Sequence, residues 1–118
     1  MLLHVLLLKI TYNFFYLITL IMTKLIKIIK SEKPSKKWTA IFKLENGKEK
    51  KVHFGSAGMN DYTLTGDKDA RERYRKRHKK DLKTNDPMRA GYLSYYILWG
   101  DSKDIKKNIA DYRKRFNL

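Results

Sequence analysis

The sequence predicts an α+β domain over residues 22–118, a three-stranded antiparallel meander followed by three helices. Three observations carry that class. β-Branched and aromatic residues concentrate between residues 24 and 54, an Asn46-Gly47 pair separates two such runs, and helix start and stop signals recur after residue 65. With 118 residues, 42% of them hydrophobic and 33% charged, the chain has material for one domain with a modest core.

The first strand is expected at residues 24–30, where lysines alternate with Leu25, Ile26, Ile28 and Ile29, and the second at residues 37–44. Pro34 and Ser35 fall in the turn between them. Asn46-Gly47 predicts a two-residue type I′ hairpin, which requires positive φ at both positions, leading into a third strand at residues 50–54. Trp38, Ala40, Phe42 and Leu44 alternate onto one face, the expected buried one.

Residues 55–62, GSAGMNDY, read as a turn-rich connector, and the first helix starts near residues 65–67 with acids in its first turn. Its packing stripe is Ala70, Tyr74 and Arg77 or His78; cations cover the remaining circumference, which puts the helix on the outside of the domain. Asp86 as N-cap and Pro87 as first residue open a second helix running to Trp99, apolar on nearly every side and therefore central. Gly100 ends it and Asp101 or Ser102 caps a third helix, whose Ile105, Ile109, Tyr112 and Phe116 fall on one narrow stripe.

Residues 1–21 differ from the rest, being apolar throughout with Lys9 as the one charged group. They are long enough for a membrane span, with Lys24, Lys27 and Lys30 holding the cytoplasmic end. As a cleaved signal peptide they lack a firm positive start and a small-residue cleavage site. The third reading, preferred here, is that an AT-rich untranslated stretch lies in frame and translation begins at Met22. The formal net charge of +15 then falls only to +14.

A charge of that size attracts polyanions, either nucleic acid or anionic lipid. It is densest in residues 71–80, RERYRKRHKK, seven cations against one acid. Arg71, Arg73, Arg75, Lys76, Arg77, Lys79 and Lys80 are thus candidate phosphate ligands, extended by Arg113, Lys114 and Arg115, which also suit the negative end of the third helix. The chain has no cysteine, which excludes disulfides, thiolate metal sites and thiol nucleophiles.

No catalytic constellation is expected. Gly55 and Gly58 bracket a small-residue loop without the Lys-Ser/Thr of a P-loop, and turn geometry accounts for them. Ser56 lacks nucleophile-elbow spacing, His53 and His78 lack a second ligand at metal spacing, and Asp61, Asp67, Asp69 and Asp86 stand where capping explains them. Tyr92, Tyr95, Tyr96 and Trp99 suit base stacking if exposed, but their place on one apolar helix favours the core. No metal or cofactor is expected.

FGSAGMNDYT at 54–63, DKDARERYRKRH at 67–78, NDPMRAGYLSYYILWG at 85–100 and IADYRKRFNL at 109–118 together resemble a family of small basic proteins encoded by nucleocytoplasmic large DNA viruses, the giant viruses. The resemblance covers most of residues 22–118 and supports the start at Met22. Many relatives carry Arg-Trp where this chain has Tyr95-Tyr96. The resemblance implies no activity; it implies a viral origin and a location in the virion or in the viral factory in the host cytoplasm.

The expectation is therefore a non-enzymatic, sequence-independent nucleic-acid-binding protein that packages, coats or scaffolds viral DNA, with DNA favoured over RNA. Two alternatives stay open. One is a protein anchored in a membrane by residues 1–21, and the other a virion structural protein that binds an acidic protein partner.

Overall fold

A computed structural model describes residues 23–118; the readings given for residues 1–21, and for Met22 as the start, lie outside them. Strands β1 (Lys24–Lys30), β2 (Lys36–Lys43) and β3 (Glu49–Ser56) form an antiparallel sheet in the order β1-β2-β3, the expected meander. Ala40 and Phe42 of the central strand are buried, and Trp38 and Leu44 are half-buried. The ladder sets Leu25 opposite Phe42 and Phe54 opposite Trp38, so the outer strands add their own apolar residues to that face. Between Leu25 and Lys27 the register slips by one residue, which makes Ile26 a bulge.

The β2–β3 hairpin departs from the type I′ expectation. In residues 44–47 only Gly47 takes positive φ, at +81°, while its N–H bonds to the Leu44 carbonyl and Leu44 N–H to that of Lys48. Asn46 instead uses its side chain, accepting a bond from Lys48 N–H. One left-handed glycine after an ordinary turn closes the longer loop with the same residues.

Helix α1 (Tyr62–Thr65) is a single turn between Asp61, which accepts from Thr63 N–H, and Gly66, whose φ is +66°. It falls where the sequence predicts only a connector, although Asp61 and Gly66 serve as its caps. Helix α2 (Lys68–His78) follows with Asp67 as N-cap and continues as 3₁₀ turns over Lys79–Thr84. No residue of α2 is buried, so it does lie outside. Helix α3 starts at Ala90 and not at Pro87 (Ala90–Leu93), because Asp86 closes a separate turn, accepting from Met88 N–H through its carboxylate and from Arg89 N–H through its carbonyl. Helix α4 (Ile105–Phe116) is capped by Asp104, not by Asp101 or Ser102; the Ser102 hydroxyl accepts from Asp104 N–H and Asp101 faces Arg75.

Past Leu93 helix α3 widens into a π-turn over Ser94–Leu98, closed by Trp99 N–H on the Ser94 carbonyl. The core joins Leu25, Phe42 and Phe54 of the sheet to Leu93, Ile97 and Leu98 of this segment, with Tyr92 and Tyr112 beside them. Full burial of such an aliphatic or aromatic side chain contributes about 1.5–3 kcal/mol. The α4 stripe is as expected, with Tyr112 buried and Ile105, Ile109 and Phe116 packed against the core.

Candidate nucleic-acid interface

Helical spacing divides the basic run into two faces. Arg71, Tyr74, Arg75 and His78 follow i, i+3, i+4 and i+7, and all four are half-buried; Arg73, Lys76, Arg77 and Lys80 follow the same spacing on the opposite side and are exposed. The inner arginines are committed to the fold. Arg75 donates from Nε to the Trp99 carbonyl and from Nη2 to Asp101 Oδ1, each at 2.9 Å, and Arg71 reaches the Gly100 and Asp101 carbonyls at 3.4 Å while lying over the Tyr62 ring. These carbonyls follow the end of the α3 segment, where helix acceptors are otherwise unfilled. The hydrogen bond from Arg75 holds the Asp101 carboxyl below its ordinary pKa despite some desolvation.

The outer face has no such duties. Arg73, Lys76, Arg77, Lys79 and Lys80 make no ion pair among the described residues, and Glu72, the one acid in the run, lies nearest Arg71 and Arg75. Five exposed guanidinium and ammonium groups along about two turns form an unneutralised stripe to which phosphates can bind.

The second cluster divides in the same way. Arg113 donates from Nε and Nη2 to the carbonyls of Leu25 and Ile26, both at 3.1 Å, which fastens α4 to β1 at its bulge. Arg115 lies over the Tyr96 ring with its guanidinium carbon 4.8 Å from the centroid. Both Lys114 and Arg115 are exposed. Of the ten candidate residues, then, Arg71, Arg75 and Arg113 are held by structural partners, while Arg73, Lys76, Arg77, Lys79, Lys80, Lys114 and Arg115 remain at the surface.

The other singled-out residues fall mostly into structural places. Gly55 and Gly58 take positive φ, +79° and +80°, and a Cβ on Gly55 would stand 2.8 Å from Leu98 Cδ1, so close packing explains that glycine. Buried Asp61 pairs with Lys37 Nζ at 2.6 Å besides capping α1. Ser31 and Thr39 hydroxyls both approach His53 Nδ1, and His78 Nδ1 lies 2.9 Å from Asp81 Oδ2. Tyr74 stacks between His78 and Trp99, and burial pushes its hydroxyl up to about 12. Among the described residues no group of His, Asp and Glu could hold a metal ion, and no helix is long and apolar enough to cross a membrane. Sequence reasoning missed Lys36, Lys37 and Ser94, which share a cleft with Tyr74 and His78; no motif marks them.

Fold and surface together define a small α+β domain with an unneutralised basic stripe along α2 and the turns after it. Residues 26–78 match DUF5754, a family of unknown function; the match runs from within β1 to the end of α2 and includes FGSAGMNDYT and DKDARERYRKRH, but not Lys79 and Lys80. The last two of the four resembling phrases lie outside it. No curated protein and no solved structure matches the chain.

Proposed function

We propose that the protein binds nucleic acid without catalysis and without sequence preference, through the outer face of α2 and the 3₁₀ turns after it. Its role is to package, coat or scaffold DNA in the particle or factory of a large DNA virus. The observation that carries this reading is the division of the basic run: Arg71 and Arg75 are paired inward, while Arg73, Lys76, Arg77, Lys79 and Lys80 stand exposed without a counter-ion among the described residues. Cations left unpaired over a net charge of +15 exchange condensed counter-ions for phosphates, and such contacts read no base. The viral setting rests on the resemblance of the four phrases quoted above.

Binding of the full chain to random-sequence duplex DNA, measured across a salt series with RNA and anionic vesicles as competitors, tests this. Log affinity should fall linearly with log salt, with little change between sequences. Replacing Arg73, Lys76, Arg77 and Lys80 together with Ala should reduce the slope, by up to about 0.9 for each phosphate that is no longer neutralised. An unchanged affinity in that variant overturns the assignment of this face. Preference for vesicles would point to a membrane surface, and absence of duplex binding at low salt to an acidic protein partner.

A further inference from the structure

We propose that the cleft between the loop of residues 55–60 and the C-terminal end of α2 takes an unpaired nucleotide, so that the protein holds single strands or frayed ends as well as backbone phosphates. The cleft measures about 690 Å³, the size of a small-ligand site. Phe54, Leu98, Tyr74 and Trp99 give it an apolar part, and Lys36, Lys37, Arg77 and His78 line it as well, with Asp61 and Asp81. Lys37 is taken up by Asp61 and His78 by Asp81. Lys36 and Arg77 are exposed and make no ion pair among the described residues, which leaves two uncompensated positive charges at a partly apolar cleft.

An apolar wall beneath free cations suits a ligand with a flat, weakly polar body and an anionic end. The rings narrow the choice further. Trp99, Tyr74 and His78 stack in sequence, with centroids 4.5 and 4.1 Å apart and planes 9° and 24° from parallel. The His78 side chain is 38% exposed and stacks on no second ring among the described residues, so a nucleobase can extend the column there while its phosphate meets Lys36 and Arg77. A paired base cannot enter without being flipped out of the duplex, which costs a few kcal/mol, so the cleft favours unpaired nucleotides. The choice of a nucleotide rests on the phosphate-binding reading above, whereas Lys36 lies outside the basic helix and separates the two tests.

Trp99 provides the signal, being one of two tryptophans, and Trp38→Phe leaves it as the sole tryptophan, excited apart from the tyrosines at the red edge of absorption. Deoxyadenosine monophosphate titrated into the full chain carrying this change should quench Trp99 saturably, with inorganic phosphate and deoxyadenosine each at least about tenfold weaker. Lys36→Ala should weaken the nucleotide about tenfold and leave duplex affinity and its salt slope unchanged. In the chain with both tryptophans, Lys36→Ala should weaken a short oligothymidylate more than a duplex of equal length, a readout that does not depend on the Trp38 variant folding. Absence of quenching, equal binding of phosphate alone, or equal effects of Lys36→Ala on single strand and duplex overturns the proposal. Nucleotide binding that survives loss of duplex binding would instead sink the reading of the basic face and spare the cleft.

Discussion

At the scale of single residues, arginines a few positions apart do unlike work. Arg113 satisfies two backbone carbonyls that the bulge at Ile26 leaves beside α4, with a planar fork that lysine cannot reproduce. Arg113→Ala should therefore lower stability by about 1–2 kcal/mol in urea unfolding, Arg113→Lys should recover little of it, and duplex affinity should change far less than in the outer-face variant. Tyr74 gives a pH signature. Burial raises its pKa to about 12, so the folded state holds the phenolic proton more tightly than the unfolded chain, whose value is near 10. The stability this contributes is fully present below pH ~10 and is lost as pH rises from there towards ~12. Burial raises Tyr92 and Tyr112 as well, so Tyr74→Phe should move the alkaline unfolding midpoint upward without abolishing the transition, as followed by circular dichroism during a base titration.

At the scale of elements, the junction between α3 and α4 is held by two residues. Asn108 is buried and donates to the carbonyls of Ile97 and Ser102 while accepting from Ser102 N–H, so its amide makes bonds on both sides of the loop. Gly100 sits against it: a Cβ there would come 2.2 Å from the Tyr96 carbonyl oxygen and 2.8 Å from Asn108 Cγ, closer than backbone can tolerate without shifting. Gly100→Ala should cost about 2–3 kcal/mol, and Asn108→Ala a comparable amount by leaving buried backbone groups unpaired. Because both changes disturb one junction, the double variant should lose less than the sum of the two in thermal unfolding. The loop they fix also presents the Trp99, Gly100 and Asp101 groups that hold Arg71 and Arg75, so the outer face of α2 depends on it for orientation.

At the scale of the whole molecule, a net charge of +15 on 118 residues works against compactness and for association with polyanions. Salt acts on the two in opposite directions. Added salt should raise the thermal midpoint of the free protein by screening repulsion while it weakens duplex binding, and both are measurable over one salt series. The outer-face variant should unfold within about 0.5 kcal/mol of the parent, since its side chains give up no partner in the fold. A large loss of stability there would mean that these cations serve the structure and not a ligand.

Residue patterns alone determined the class and order of the elements. Strand alternation, Asp67 ahead of a helical run and the Ile105–Ile109–Tyr112–Phe116 stripe are local signals, read from neighbours a few positions away. The basic run was legible as a helix with one packed edge. Which of its arginines turned inward was not, because Arg71 and Arg75 are oriented by carbonyls near residue 100, brought within reach by the packing of α3. For the same reason Arg113 could not be separated from Lys114, as its acceptors lie on β1, nearly ninety positions earlier. Helix starts shifted at Ala90 and Ile105 where an aspartate close by could close a turn equally well, and local chemistry does not choose between two such caps. The cleft left no trace in the sequence, since its walls come from β2, β3, α2 and α3 and only tertiary packing sets Lys36 across from Arg77.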